Sequence, residues 1–407
     1  MKPAVLVTIV VPCIALLAVA ACASHESSPV PASGNGVAAS GADVPLWQAQ
    51  HLARAACPQA PRGYAQCAAL IGITKAQPLI NGWKPADIQA VYNLPSAKKG
   101  RGQIVALIDA YDNPNVASDL DTYRSTFGLP KAKFYKYNQK GEQGNYPKGN
   151  AGWGFEIDLD VDMVSAACPN CTIYLIEATN NSLKNLGDAN LEAVKLGATI
   201  VSNSWGCYQA GCTWKTHVFD TTGITYLAAS GDIGYGSYPP ADFANVISVG
   251  GTILSKSGSK YTEQVWPDTG GGCAAGIAKP AWQHDPGCTT RTQNDVAAVS
   301  QNVAVYDTYE YNSYAGWFIA YGTSLATPIV ASTFALAGDS AKQDAGKVFW
   351  ALSKKQRAKG LHAVTSGTDS KCPPSLSGSY LCTAGTGQFG TYSGPTGWGT
   401  PNGIGAF

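Results

Sequence analysis

Short apolar runs alternate with amphipathic segments along most of the chain. The runs GQIVALIDAY (102–111), TIYLIEA (172–178), ATIVSNSWG (198–206), ITYLAASGD (224–232) and NVISVGGT (245–252) are each closed by Gly, Asp, Asn or a polar aromatic. They read as strands buried on both faces. Between them, residues 155–167 place Phe155, Leu159, Met163 and Ala166 near one face of a helix, and residues 186–197 form a second helical segment ending in Gly197. Strand, helix, strand alternation predicts a single large α/β domain with a parallel sheet and helices on both faces. Ligands of such a sheet collect beyond the carboxyl ends of its strands. No internal repeat and no second domain is evident.

The N-terminal pattern differs. Residues 1–22 join Lys2 to an apolar run ending in small residues, the signature of an export signal rather than a stable span. Val19–Cys22 resembles a bacterial lipobox, in which Cys22 would be lipidated; cleavage after Ala21 or Ala23 is the alternative. Residues 23–54 are rich in Ser, Gly, Pro and Ala and read as a flexible tether. Both readings place the folded part outside the cytoplasm, secreted or lipid-anchored on the outer side of the membrane.

Composition narrows the partners. With 45% hydrophobic residues among 407 the chain can bury a large core. A net charge of +1 and only 14% charged residues give no field for nucleic acid or an anionic bilayer, so membrane contact is expected only through a lipid at Cys22. Ten of the twelve cysteines follow the leader, in five close pairs: 57/67, 168/171, 207/212, 273/288 and 372/382. An exported chain with an even count points to disulfides, paired locally. A redox or zinc role for the CxxC at 168–171 is disfavoured because it follows a helix instead of opening one.

Candidate chemistry begins at YGTSLATPIVA (321–331), a glycine turn that places Ser324 at the start of an apolar helix. A serine nucleophile needs a base. The histidines, His25, His51, His217, His284 and His362, lie in the tether or in loop-like contexts, and none opens a helix after a glycine turn. Carboxylates are better placed. Glu156 and Asp160 are four apart on the helix segment, hence on one face, and neighbouring acids in a buried site raise each other's pKa. Asp158 and Asp162 form a second pair at the same spacing, and a solvated acidic face is the plain alternative for both. Asp232 ends a buried strand. If protonated, it could donate to the oxyanion formed when Ser324 attacks a carbonyl.

Taken in order, Glu-x-x-x-Asp on a helix, Ser-Gly-Asp after a strand and Gly-Thr-Ser-x-x-x-Pro opening a helix resemble the sedolisin family of serine-carboxyl peptidases. GWKPADIQAVYNLPS (82–96), VSNSWG (201–206), TGGGC (269–273) and TGWGTPNG (396–403) extend the likeness over residues 82–407, leaving 55–81 as a short N-terminal segment. The resemblance implies a subtilisin-like fold and an endopeptidase acting on proteins or peptides at acid pH. Ser324 would be its nucleophile, Glu156 its base, Asp160 the acid tuning that base and Asp232 the oxyanion donor. Two departures stand out. Only a short stretch precedes the match where the family carries a long propeptide. The family's two calcium-binding aspartates correspond to Ala363 and Ser393, so no cofactor is expected. Two alternatives stay open: a degenerate sedolisin-like binding module, and a Ser/His/Asp subtilase using Asp109.

Overall fold

The computed structural model describes Met1 and residues 53–72, 81–209, 212, 217–311, 314–338, 345–386 and 391–407. The expected export signal apart from Met1, Cys22, most of the expected tether, His25 and His51 lie outside the described residues. Residues 43–407 form one compact unit.

In chain order the strands are β1 (Ala53–Ala55), β2 (Gln66–Cys67), β3 (Leu70–Gly72), β4 (Ile104–Ala110), β5 (Lys133–Asn138), β6 (Thr172–Ala178), β7 (Ile200–Asn203), β8 (Trp205–Gly206) and β9 (Thr225–Ala229). They continue with β10 (Val246–Ser257), β11 (Lys260–Val265), β12 (Gly272–Ala278), β13 (Thr290–Gln293), β14 (Val296–Val299), β15 (Gln301–Tyr311), β16 (Tyr314–Tyr321), β17 (Leu361–His362) and β18 (Thr400–Pro401). The helices are α1 (Pro85–Val91), α2 (Val116–Thr126), α3 (Ala151–Ala167), α4 (Leu183–Lys195), α5 (Thr323–Ala337), α6 (Lys347–Ala351) and α7 (Lys354–Gly360).

The central sheet runs β11-β10-β9-β7-β4-β6-β5, with β14 added on β10. Every pairing in it is parallel except β10 with β11. This is the expected parallel α/β sheet, with helices packed against it. The cause is compositional: β4, β6, β7 and β9 carry Val, Ile, Leu and Ala with almost no exposed position, as strands covered on both faces must.

Two helices differ from an ordinary amphipathic surface helix. In α3 every residue from Gly152 to Ala167 is buried, four carboxylates included, so no face of it is solvated. The apolar stripe of Phe155, Leu159, Met163 and Ala166 is only part of its packed surface. In α5, Thr323 to Leu336 are all buried. The two helices pack on each other, α3 also touching β15 and α5 touching β7, β9, β10 and β14. The five expected disulfides are formed, Cys57–Cys67, Cys168–Cys171, Cys207–Cys212, Cys273–Cys288 and Cys372–Cys382.

Residues 53–72 are integrated into the fold. A second sheet runs β1-β3-β16-β15, and β2 pairs with β8 beside the carboxyl end of the central sheet.

Candidate active site

The carboxyl ends of β4, β7 and β9 deliver three polar residues to one edge. Asp109 is the penultimate residue of β4, Ser204 follows β7, and Asp232 follows β9. The N-terminus of α5 supplies Thr323 and Ser324, and α3 supplies Glu156 and Asp160 from the side. All are fully buried except Asp232, which is 4% exposed. The four residues singled out from the sequence, Ser324, Glu156, Asp160 and Asp232, thus converge, with Asp109 and Ser204 among them.

Hydrogen bonds join the elements. Ser324 Oγ donates to Ser204 O at 3.3 Å, and Ser204 Oγ donates to Asp160 Oδ1 at 2.7 Å. Asp232 Oδ1 accepts from both Thr323 N and Thr323 Oγ1 at 2.8 Å, while Thr323 Oγ1 accepts from Gly231 N at 3.1 Å. These bonds fix the Asp232 loop to the serine turn. Gly322, which opens that turn at φ 120°, has no room for a side chain: a Cβ there would stand 2.2 Å from Ala68 O and 2.7 Å from Asp232 Oδ2.

Burial without a neighbouring cation sets the electrostatics. Burial, then the Asp160 and Asp109 charges, hold the Glu156 carboxyl well above its usual range; the nearby Ser324 hydroxyl opposes the rise, although its formed hydrogen bond goes to Ser204. Burial and Asp109 raise Asp160 likewise, against the Ser204 hydrogen bond. Burial pushes Asp109 up to about 8 and Asp232 up to about 7, the latter against the two Thr323 hydrogen bonds. Three carboxyls this close cannot all ionise, so Glu156, Asp160 and Asp109 share protons as a set. Such a set can accept one proton, while Asp232 in its neutral form can donate.

From the sequence, Asp109 enters only through the alternative Ser/His/Asp arrangement. Its place at the end of a buried strand was the available signal. No histidine approaches the site among the described residues: His217 and His284 are exposed, and His362 binds Val91 O at 3.0 Å in β17. Tyr208 was not singled out. Its ring lies against both Gly206 and Gly231, and its buried hydroxyl has no hydrogen-bond partner.

The two positions at which the sedolisin resemblance would place calcium ligands, Ala363 and Ser393, offer no carboxylate. Ala363 supplies no side-chain oxygen, and Ser393 Oγ is engaged with Thr396 Oγ1 at 2.8 Å while Ser393 N donates to Gly397 O. Asn294 holds this turn, its Nδ2 donating to Gly270 O, Gly394 O and Pro395 O. The nearby Asp369 is buried, and that burial together with the Asp268 charge holds its carboxyl well above the usual range. On the far side of α3, Asp119, Asp158 and Asp307 bring carboxylate oxygens within 4.8 Å of one another, a spacing a cation could use. Thr308 N and Oγ1 donate to Asp119, Asn113 Nδ2 to Asp158 and Tyr309 N to Asp307.

A profile of the subtilase family matches residues 140–373, a span that contains Glu156, Asp160, Asp232 and Ser324. Xanthomonalisin of Xanthomonas sp. (strain T-22) is 24% identical over 368 residues, covering 73% of this chain and 43% of its own. The chain therefore spans less than half the length of that curated relative. Pseudomonas sedolisin, a serine-carboxyl proteinase solved with two molecules of pseudo-iodotyrostatin, superposes with a TM-score of 0.65 at 23% identity. That match covers 80% of this chain and 96% of the sedolisin, which establishes the shared fold. With more than half of its length matched by the family profile, this chain belongs to the subtilase family.

Proposed function

We propose that the protein is an exported serine-carboxyl endopeptidase that hydrolyses peptide bonds in acid medium. The observation that carries this reading is the meeting of a helix-N-terminal serine with a buried, histidine-free carboxyl cluster at the carboxyl edge of a parallel sheet. Ser324 Oγ attacks the scissile carbonyl as its proton passes to Glu156. Asp160 and Asp109 keep that carboxyl basic enough to accept the proton and acidic enough to return it to the leaving amine. Asp232 stays protonated below about 7 and donates to the oxyanion. Thr323 N and Oγ1 both donate to Asp232 Oδ1 and fix the orientation of its carboxyl group.

The five disulfides support an oxidising compartment, in keeping with an export signal. Substrates are proteins or peptides. The calcium position lacks its carboxylates, so activity is expected without a metal. A peptide aldehyde tests the reading: at acid pH it should add to Ser324 and block turnover, and Ser324→Ala should neither bind it nor cleave peptide. Equal labelling of wild type and Ser324→Ala would overturn the assignment. It would favour the binding-module alternative.

A further inference from the structure

Two segments flank the serine hydroxyl. One is Ser204–Gly206, whose Ser204 carbonyl accepts from Ser324 Oγ at 3.3 Å. The other is Ser230–Asp232, tied to the serine turn by the bonds from Thr323 to Asp232 and from Gly231 N to Thr323 Oγ1. The chain itself gives the course of an extended main chain past Ser324. Gln66 and Cys67 pair antiparallel with Gly206 and Trp205, Ala68 N donates to Ser204 O at 3.0 Å, and Ala68 O and Asp232 Oδ2 crowd one point beside Gly322. A peptide on that course, its carbonyl facing Ser324 and its oxygen toward Asp232, has the residue before the scissile bond beside Gly206 and Gly231, where the two segments carry no side chain.

Tyr208 fills that gap. A Cβ on Gly206 would stand 3.0 Å from its ring atoms Cε1 and Cζ, and one on Gly231 would stand 2.9 Å from Cε1. Tyr238 packs edge-on against the ring, with centroids 5.0 Å apart at 80°. Tyr238 N donates to Gln293 Oε1 at 2.9 Å and Gln293 Nε2 donates to Ser230 O at 2.8 Å, so one side chain holds both the brace and the wall. Next to Tyr208, Cys207 is fixed by its disulfide to Cys212 and by donation from its N to Pro239 O at 2.9 Å. The hydroxyl of Tyr208 is buried and has no hydrogen-bond partner among the described residues, a state that a bound ligand would relieve. Burial, then the Asp232 and Glu156 charges, hold this phenol well above its ordinary range, so it keeps its proton and can donate.

We infer that Tyr208 is a specificity-determining residue: it closes the gap beside Gly206 and Gly231 to large side chains, so that the residue before the scissile bond is small, and it donates its hydroxyl to a serine there. The inference rests on the peptidase reading above. Glycine, alanine and serine fit beside a fixed ring. Leucine and phenylalanine fit only by displacing it, with loss of its contacts to Gly231 and Tyr238. Of the three small residues, serine alone brings a side-chain acceptor for the buried hydroxyl, which sets it above alanine.

The test uses the full chain in acid buffer and matched fluorogenic peptides that differ only in the residue before the scissile bond, Ala, Ser, Leu or Phe, with the cleaved bond read by mass spectrometry. Wild type should cleave the Ala peptide with kcat/KM at least about a hundredfold above the Phe peptide, and the Ser peptide about fivefold above the Ala peptide. Tyr208→Ala should raise kcat/KM for the Phe peptide to within about threefold of that for Ala. Tyr208→Phe should still exclude the Phe peptide and lose the preference for Ser. A gain on one substrate cannot arise from misfolding, and the wild-type profile needs no variant. Leu and Phe peptides cleaved by wild type as fast as the Ala peptide, or a Phe to Ala ratio unchanged in Tyr208→Ala, would overturn the role of Tyr208. A Ser to Ala ratio unchanged in Tyr208→Phe would overturn the part of its hydroxyl. Cleavage of all four peptides undiminished in Ser324→Ala would instead overturn the peptidase reading beneath it.

Discussion

One helix carries two pairs of carboxylates at the same spacing, and the fold treats them differently. On α3, Glu156 and Asp160 meet Ser324, Ser204 and Asp109 at the sheet edge; their setting offers hydroxyls and other acids. Asp158 and Asp162 meet α2 and β15. There Asp158 Oδ2 accepts from Asn113 Nδ2 at 2.6 Å, and Asp162 Oδ2 accepts from Tyr306 N at 3.0 Å, with the Arg124 charge nearby. Alongside them, Asp119 accepts from Thr308 N and Asp307 from Tyr309 N. The second pair thus ties α3 to its neighbours through main-chain and amide donors. The first pair meets the serine hydroxyls and Asp109 instead. Identical sequence spacing yields a carboxyl cluster beside Ser324 on one face and a fastening on the other, and the deciding factor is what the opposing elements donate.

The sharpest way to break this comparison is to cut each pair. Ser324→Ala and Glu156→Gln should each lower peptide turnover by at least about a thousandfold, with the double variant little worse, because nucleophile and base act as one unit. Melting temperature should hold in Ser324→Ala. Steady-state kinetics on purified variants decides this, and more than a few per cent residual activity in either would remove the assignment.

Asp232 comes next. Its folded pKa of about 7 means that the donor proton is present below that pH and lost above it, so turnover should fall as pH rises through about 7. Asp232→Ala should lower kcat roughly a hundredfold. A wild-type optimum in alkaline solution would point to a base other than the carboxyl cluster.

For the fastening pair, Asp162→Ala leaves the Tyr306 amide buried without its acceptor, a cost of about 1–3 kcal/mol. Melting temperature should drop by several degrees while kcat of the folded fraction stays within about threefold. A loss of turnover with no loss of stability would erase the distinction between the two faces.

Bulk stability should show the same acids. A carboxyl whose pKa rises on folding holds its proton more tightly folded than unfolded. No penalty exists below the unfolded value of about 4, and one accumulates as pH climbs toward the folded value. Asp109 at about 8 and Asp232 and Asp307 at about 7 therefore place the stability maximum in acid, with melting temperature falling between about pH 4 and pH 8. Thermal scans across that range check the sign. The smallest effect expected is that of a chelator, which should leave melting temperature within about a degree, since Ala363 and Ser393 offer no carboxylate and Ser393 Oγ is engaged with Thr396.

Periodicity and punctuation alone were enough for β4, β6, β7, β9 and β10 of the eight-stranded sheet, though not for β5, β11 and β14, and for the local cysteine pairs. Runs such as TIYLIEA can be buried only as inner strands, and cysteines a few residues apart can meet without help from the rest of the chain. Burial was decided by tertiary structure. A stretch with acids at 156, 158, 160 and 162 reads equally well as a solvated face, and only packing of α3 against β15, α2 and α5 makes it an interior helix with raised pKa values. Asp109 entered the cluster because β4 is central in the sheet, a fact of strand order that no local pattern encodes. The covering of Ser324 by Ala68 required residues more than two hundred positions apart to share the Ser204 carbonyl, and chain topology alone brings them together.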